Sequence, residues 1–446
     1  SMVRNLVAEP DGKIEIRLYE SLCGIGSELA PVSGYLDYRE LIKRFAPLFN
    51  LKGFPNHSAD WHKIHSLSNR SVASIPDLVG GKISLQRTDE LNALKEAVDN
   101  NQVLFVVGRS GFGKSVLIKK LIERETYMHN NFIWIDAQCL NSGSLSQYFG
   151  LQYNFTELLS HMHKSCSYLV IDGIDRFFKE EDLKKIYEIL TQAIVPYSGW
   201  KIIFTCQNDD YSDVIERLYR INIPVKSETY SVELKILDYS LSICREIPEL
   251  SNLFKHEHLH GILNNLKYLD QLAFKLSAGT AIPDKDLLGE TTIIDWIWKD
   301  EFDGTGSRFM QYYAEKQAQL FSAAVPISDF SISELEPLDR LKIRKNIYEH
   351  DDKLYLVHDL LGDWARYKLL RSKDKNIKTY LTSLELGSPL WRKAVRLYGI
   401  YLLEKNDGGN SWKALIRSLS EFEPREKIVQ YLLLESIFFS SDTYKY

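Results

Sequence analysis

The stretch DNNQVLFVVGRSGFGKSVLIKKL, Asp99 to Leu121, decides the fold. VLFVV is a short β-branched and aromatic run with no polar residue, as a strand buried on both faces requires. GRSGFGKS then satisfies G-x-x-x-x-G-K-[ST] with Gly108, Gly113, Lys114 and Ser115, and VLIKKLI opens an amphipathic helix. Glycines are needed because the loop must turn its N–H groups around phosphate oxygens without interference from Cβ. Arg109, Ser110, Gly111, Phe112 and Val116 complete this cradle. Lys114 is placed to neutralise β/γ-phosphate oxygens and Ser115 to ligate Mg²⁺, and the helix N-terminus adds its dipole.

Such a loop needs a carboxylate on a neighbouring strand. SYLVIDGIDRF supplies it, with four apolar residues before Asp172 and with Asp175 three positions on. Asp172 reads as the metal-side acid. Asp175 reads either as the group that orients or deprotonates the attacking water, or as the N-cap of the helix in FKEEDLKKIYEIL. KIIFTCQ sets Thr205 and Gln207 at a strand end, where ligands of open α/β sheets bind. There they sense the γ-phosphate or merely cap the strand. Strands are expected at 103–107, 131–136, 167–171, 201–206 and about 230–236, alternating with amphipathic segments as in a parallel sheet covered by helices.

At 446 residues the chain exceeds a single core and should form two to four domains. With 44% apolar residues, 26% charged and a net charge of −5, no global basic field points to nucleic acid or anionic membrane. The expected layout is a helical segment at 3–80, the nucleotide domain at 81–237, a helical subdomain at 238–290, a winged helix at 291–372 and C-terminal helices at 373–446. The hairpin NIYEHDDKLYLV suggests the wing. Cys23, Cys139, Cys166, Cys206 and Cys244 are scattered and read as reduced core thiols. No apolar run is long enough to cross a bilayer, which favours a cytoplasmic protein. Ser1-Met2 looks like a tag remnant, as expected of a module cut from a larger protein.

LVIDGIDRF resembles the Walker B segment of the STAND class of P-loop ATPases, which includes NACHT proteins, and the likeness extends over residues 54–372. It implies an ASCE-type sheet followed by helical and winged-helix domains. ISLQRTDELNALKEAV is similar to the segment preceding the class's P-loop, so Arg87 is implied to lie near the adenine. LVHDLLGDWARYKLL is similar to the winged-helix histidine motif, which gives His358 the role of contacting the ADP β-phosphate. FPNHSADWHKI resembles a segment of large bacterial STAND proteins of defence type. The chain departs from the class at Leu266, where proline is usual, and at Gln207, where arginine is usual.

The resemblance implies an ATP/ADP switch, closed by ADP, hydrolysing slowly with Mg²⁺ and self-associating on exchange, its trigger sensed by flanking regions. A rival is an AAA-type ATPase acting on nucleic acid through its winged helix; a third reading is an idle nucleotide-binding scaffold. The acidic EHDD of the wing favours the switch, and nucleic acid is not the expected partner. HEHLH, His256 to His260, matches the zinc-protease motif but lacks a third ligand nearby, and reads as a solvated helix. Arg340, Lys342, Arg344 and Lys345 of DRLKIRKN read as an exposed charged helix, with phosphate contact as the alternative.

Overall fold

The computed structural model describes residue 7 and residues 12–32, 38–51, 57–127, 131–141, 143–161, 167–177, 179–194, 199–221, 228–280, 289–384, 389–405, 407–420 and 422–440. Residues 54–56 of FPNHSADWHKI and Cys166 lie outside them.

Strand β1 (Val103–Gly108) is buried at every position and lies inside a parallel sheet of β2 (Asn131–Ile135), β3 (Ser167–Ile171), β4 (Trp200–Gln207) and β5 (Glu228–Ser231), ordered β2-β3-β4-β1-β5. Alternation along each strand feeds two cores. Phe105, Ile133, Leu169, Ile202 and Phe204 face one side; Leu104, Val106, Trp134, Val170 and Ile203 face the other. Register sets the site: Gly108 pairs with Gln207 and Ile171 with Phe204, so the turns after β1, β3 and β4 leave the sheet together. This is an α/β P-loop NTPase fold.

β5 is shorter and earlier than its sequence suggested. The Val232 N–H still donates to Val107 O at 2.7 Å, but Leu234 and Ile236 turn away into a helical core. β2 stops one residue early because the Asp136 carboxylate accepts the N–H of Cys139 in the following helix.

The helix Ser58–Ser74 closes the β2 side of the sheet. Ile64 enters one core and Val72 the other, Trp61 stacks on Trp200, and Ser68 Oγ accepts the Trp134 N–H at 3.1 Å. The expected boundary at residue 80 therefore separates this helix from the sheet it packs on. The segment after it faces elsewhere: Val79 and Ile83 join the helical core, and the Gly80 N–H donates to Asp270.

That helical core runs without interruption from Leu234 to Leu433, so the parts expected as three domains share one apolar interior. Within it, helices Gly304–Leu320 and Leu338–Ile343 accompany an antiparallel sheet of β6 (Ala324–Pro326), β7 (Ile347–His350) and β8 (Lys353–Leu356), ordered β6-β8-β7. The β7–β8 turn has Asp351 at φ 48° and Asp352 at φ 56°, both in the left-handed region that a two-residue hairpin demands. The helix Asp359–Ser372 follows, then Pro389–Glu404, Asn410–Ser418 and Pro424–Glu435. Among the described residues no helix is long and apolar enough to cross a membrane.

Candidate functional site

In the loop after β1 each carbonyl from Gly108 to Phe112 has a donor, and the Phe112 N–H turns back to Arg109 O at 3.3 Å. Gly111 (φ 83°) and Gly113 (φ 78°) adopt backbone that side-chain-bearing residues avoid. Lys114 Nζ donates to Gly108 O at 2.9 Å and Arg109 O at 3.1 Å. Asn265 Nδ2 donates to Ser110 O at 2.9 Å, the Leu266 N–H to Gly111 O at 2.8 Å, and Arg87 Nη1 to Phe112 O at 2.9 Å. Burial lowers the Lys114 pKa, while Asp175 and Asp172 pull it back up. Phe112 packs against both the sheet-side and the helical cores, and Val116 lies half-buried in the first turn of the helix Lys114–Tyr127.

Beside the loop a chain of hydroxyls and carboxylates forms. Ser115 Oγ and Thr205 Oγ1 both donate to Asp172 Oδ1, at 2.8 and 2.7 Å, and Thr205 Oγ1 accepts the Gly173 N–H at 2.6 Å. A hydroxyl and a carboxylate converging in this way form the hard-oxygen set that suits Mg²⁺. Thr205 is thus a hydrogen-bond partner of Asp172. Asp175 sits in the turn Ile174–Arg176, 5% exposed, with its carboxylate accepting the Gln207 N–H at 3.3 Å and Gln207 Nε2 at 3.2 Å. Desolvation raises its pKa against the pull of Arg176 and Lys114. The N-cap of the next helix is Lys179, so capping that helix is not the role of Asp175.

Arg87 is 8% exposed; besides Phe112 O it reaches Glu90 at 3.2 Å and Glu233 O at 3.5 Å. Its position is fixed by the loop backbone. His358 is the N-cap of Asp359–Ser372, its Nδ1 accepting the Leu360 N–H at 3.2 Å. Burial drives its pKa well below the ordinary value, and the charges of Lys267, Arg176, Lys393 and Lys114 push the same way. The ring is therefore neutral, with its proton on Nε2. Next to it, Asp359 pairs with Arg176 at 2.5 Å, joining the turn after β3 to the helix after β8.

Sequence reasoning missed this pair and its neighbours. Arg392 and Arg396, one turn apart on Pro389–Glu404, pair with Asp213, at 2.9 Å, and with Asp209 in the loop after β4. Phe439 lies under two guanidiniums, Arg109 at 5.2 Å and Arg396 at 5.3 Å. Asp209, Arg392 and Arg396 border a cavity shared with Asp175, Gln207 and Asp359. Asn265 and Leu266 were visible only as a departure from the class.

Two other motifs take their places outside the site. His256 precedes the short turn Glu257–Leu259 and His260 starts a separate helix, with Nε2 against Phe254 O at 2.9 Å, so HEHLH is not one continuous helix. Arg340 pairs with Asp303, Lys342 with Glu349, and Arg344 with the Glu301 carbonyl.

No family model and no curated protein matches the chain. Among solved structures it is similar to the Walker-type ATPase of Pyrococcus abyssi (12% identity, 63% of this chain and 95% of that chain, TM-score 0.33). It is also similar to Cdc6p of Pyrobaculum aerophilum (13% identity, 68% and 98%, TM-score 0.34) and to AMPPCP-bound DnaA of Aquifex aeolicus (12% identity, 82% and 90%, TM-score 0.31). At such scores the fold assignment rests on the loop and the strand order themselves.

Proposed function

We propose that the chain is a nucleotide-controlled switch of STAND type that holds ADP between the P-loop domain and a winged helix formed by residues 291–372. The observation that carries this reading is the Arg176–Asp359 pair beside His358. It ties the turn after β3 to a neutral imidazole on which the charges of Lys267, Arg176, Lys393 and Lys114 act. A donor in so electropositive a place suits a phosphate oxygen. Capping by Nδ1 and phosphate contact by Nε2 are compatible, because the cap fixes the tautomer that the contact needs.

Lys114 and the N–H groups of Gly111 and of 113–115 hold the phosphates, and Ser115 and Asp172 hold Mg²⁺, which neutralises charge on the β/γ oxygens. Thr205 keeps Asp172 oriented. Asp175 is the group positioned to orient water, yet both of its oxygens are engaged by Gln207. That engagement fits slow hydrolysis, well below the roughly 1–10³ s⁻¹ of metabolic enzymes. Exchange of ADP for ATP releases the second unit and lets the protein self-associate, the trigger arriving through flanking regions.

The test is to denature the purified protein and identify the released nucleotide by chromatography, then repeat with His358→Ala. Retained ADP, with His358→Ala losing ADP more than ATP, is the expected result. Fast turnover without a partner, or salt-dependent binding of duplex DNA, would replace the switch with the nucleic-acid ATPase.

A further inference from the structure

Leu266 stands where the class carries proline, and the structure gives that departure a purpose. Its N–H donates to Gly111 O at 2.8 Å, a bond proline has no hydrogen to make. Asn265 reaches the preceding carbonyl, Ser110 O, at 2.9 Å with Nδ2 while its Oδ1 accepts the N–H groups of Lys267 and Tyr268 and caps the helix Leu266–Ser277. The fit is close on both sides: a Cβ on Gly111 would fall on the Asn265 side chain, and one on Gly113 would lie 2.9 Å from Leu266 Cδ1.

We infer that Asn265 and Leu266 form a clasp by which the helical subdomain sets the P-loop in its phosphate-binding conformation, so that nucleotide affinity depends on where that subdomain sits. The physical reason is polar accounting. N–H groups converge on an anion only if the alternating carbonyls point away, and carbonyls pointing into a protein interface need donors. Two of those donors come from residues 155 positions or so along the chain, on an element that the loop itself does not control. Asn265 and Leu266 are positioning residues. The inference rests on the nucleotide reading above and adds a site of regulation to it.

The clasp can be broken without breaking the helix. Leu266 is the first helical residue, where proline is well tolerated, and Asn265 before it is extended (φ −86°, ψ 108°), as a residue preceding proline must be. Leu266→Pro therefore restores the class residue and removes the bond to Gly111 together with the leucine side chain, a second loss that Leu266→Ala measures by itself. Asn265→Asp keeps a capping oxygen but loses the donor to Ser110. The experiment is MgADP and MgATP titration of the full chain by calorimetry, with nucleotide-free thermal midpoints measured in parallel. Leu266→Pro and Asn265→Asp should each weaken nucleotide about tenfold with little change in the nucleotide-free midpoint, while Leu266→Ala, which keeps the N–H, stays within about threefold. Wild-type affinity in both clasp variants, with Lys114→Ala unable to bind, would overturn the clasp and leave the switch standing. Failure of the wild-type chain to bind either nucleotide would overturn both.

Discussion

Around the phosphate loop the partners that matter are mostly backbone: five consecutive carbonyls, each held by a donor, with glycines where no other residue fits. Where the helix Pro389–Glu404 meets the turn after β4 and the helix Tyr211–Arg220 that follows it, the partners are side chains, Arg392 with Asp213 and Arg396 with Asp209, 179 and 187 positions apart. The first region is the costlier to disturb, because a part-buried carbonyl left without its donor also disturbs its neighbours. The second is graded, since partly exposed ion pairs contribute only roughly 0.2–1 kcal/mol each and weaken with salt. A switch needs both kinds: a site that holds its ligand firmly and a seam that opens cheaply.

The sharpest break in this comparison is Lys114→Ala, which removes the ammonium at the loop and should lower ATP affinity by at least about a hundredfold in a calorimetric titration. Unchanged affinity would mean that the loop does not hold phosphate. Asp172→Asn comes next: binding should survive within about tenfold while Mg²⁺-dependent phosphate release disappears, since a neutral amide holds the metal poorly.

On the seam the effects shrink. Arg176→Ala should speed release of fluorescent ADP about two- to fivefold, as befits a pair whose side chains are 39% and 30% exposed, and Arg176→Asp with Asp359→Arg should restore part of the loss. High salt should mimic the single variant. If Arg176→Ala releases ADP no faster than wild type, the seam does not gate the site.

The smallest effect concerns Asp210, whose pKa burial, together with Asp175 and Asp209, raises to about 7 against the pull of Arg392. Its unfolded value is near 3.8, so between about pH 4 and 7 the native state holds more protons than the unfolded chain. Its contribution to stability therefore falls as pH rises through that window. Asp210→Asn should lack this fall, a difference of about 1–2 °C in thermal midpoint between the two proteins at neutral pH. Parallel pH profiles for the two would remove Asp210 as a titrating member of the seam.

The loop, Asp172 and the strands β1 to β4 could be read from the chain because each is specified locally: an apolar run, a glycine spacing, an acid at a strand end. β5 misled because Val232, Leu234 and Ile236 keep the alternation of a strand while serving two different cores. Asp175 was ambiguous because the same spacing suits a cap and a site, and only the start of the next helix after Lys179 separates them. Arg176, Arg392 and Arg396 were invisible because a charged side chain carries no mark of which distant acid it will meet. Leu266 was visible as a departure from the class, but the partner of its N–H, Gly111 O, is distant in sequence and leaves no local mark.

The Ser68 hydroxyl on Trp134 has a practical consequence for anyone trimming this protein. β2 is an outer strand, and an outer strand left bare invites another chain to hydrogen-bond along it. A fragment cut at residue 80 would discard the helix Ser58–Ser74 and with it the cover over β2. Such a fragment should express poorly or precipitate, whereas one beginning before Ser58 should stay dispersed at the same concentration.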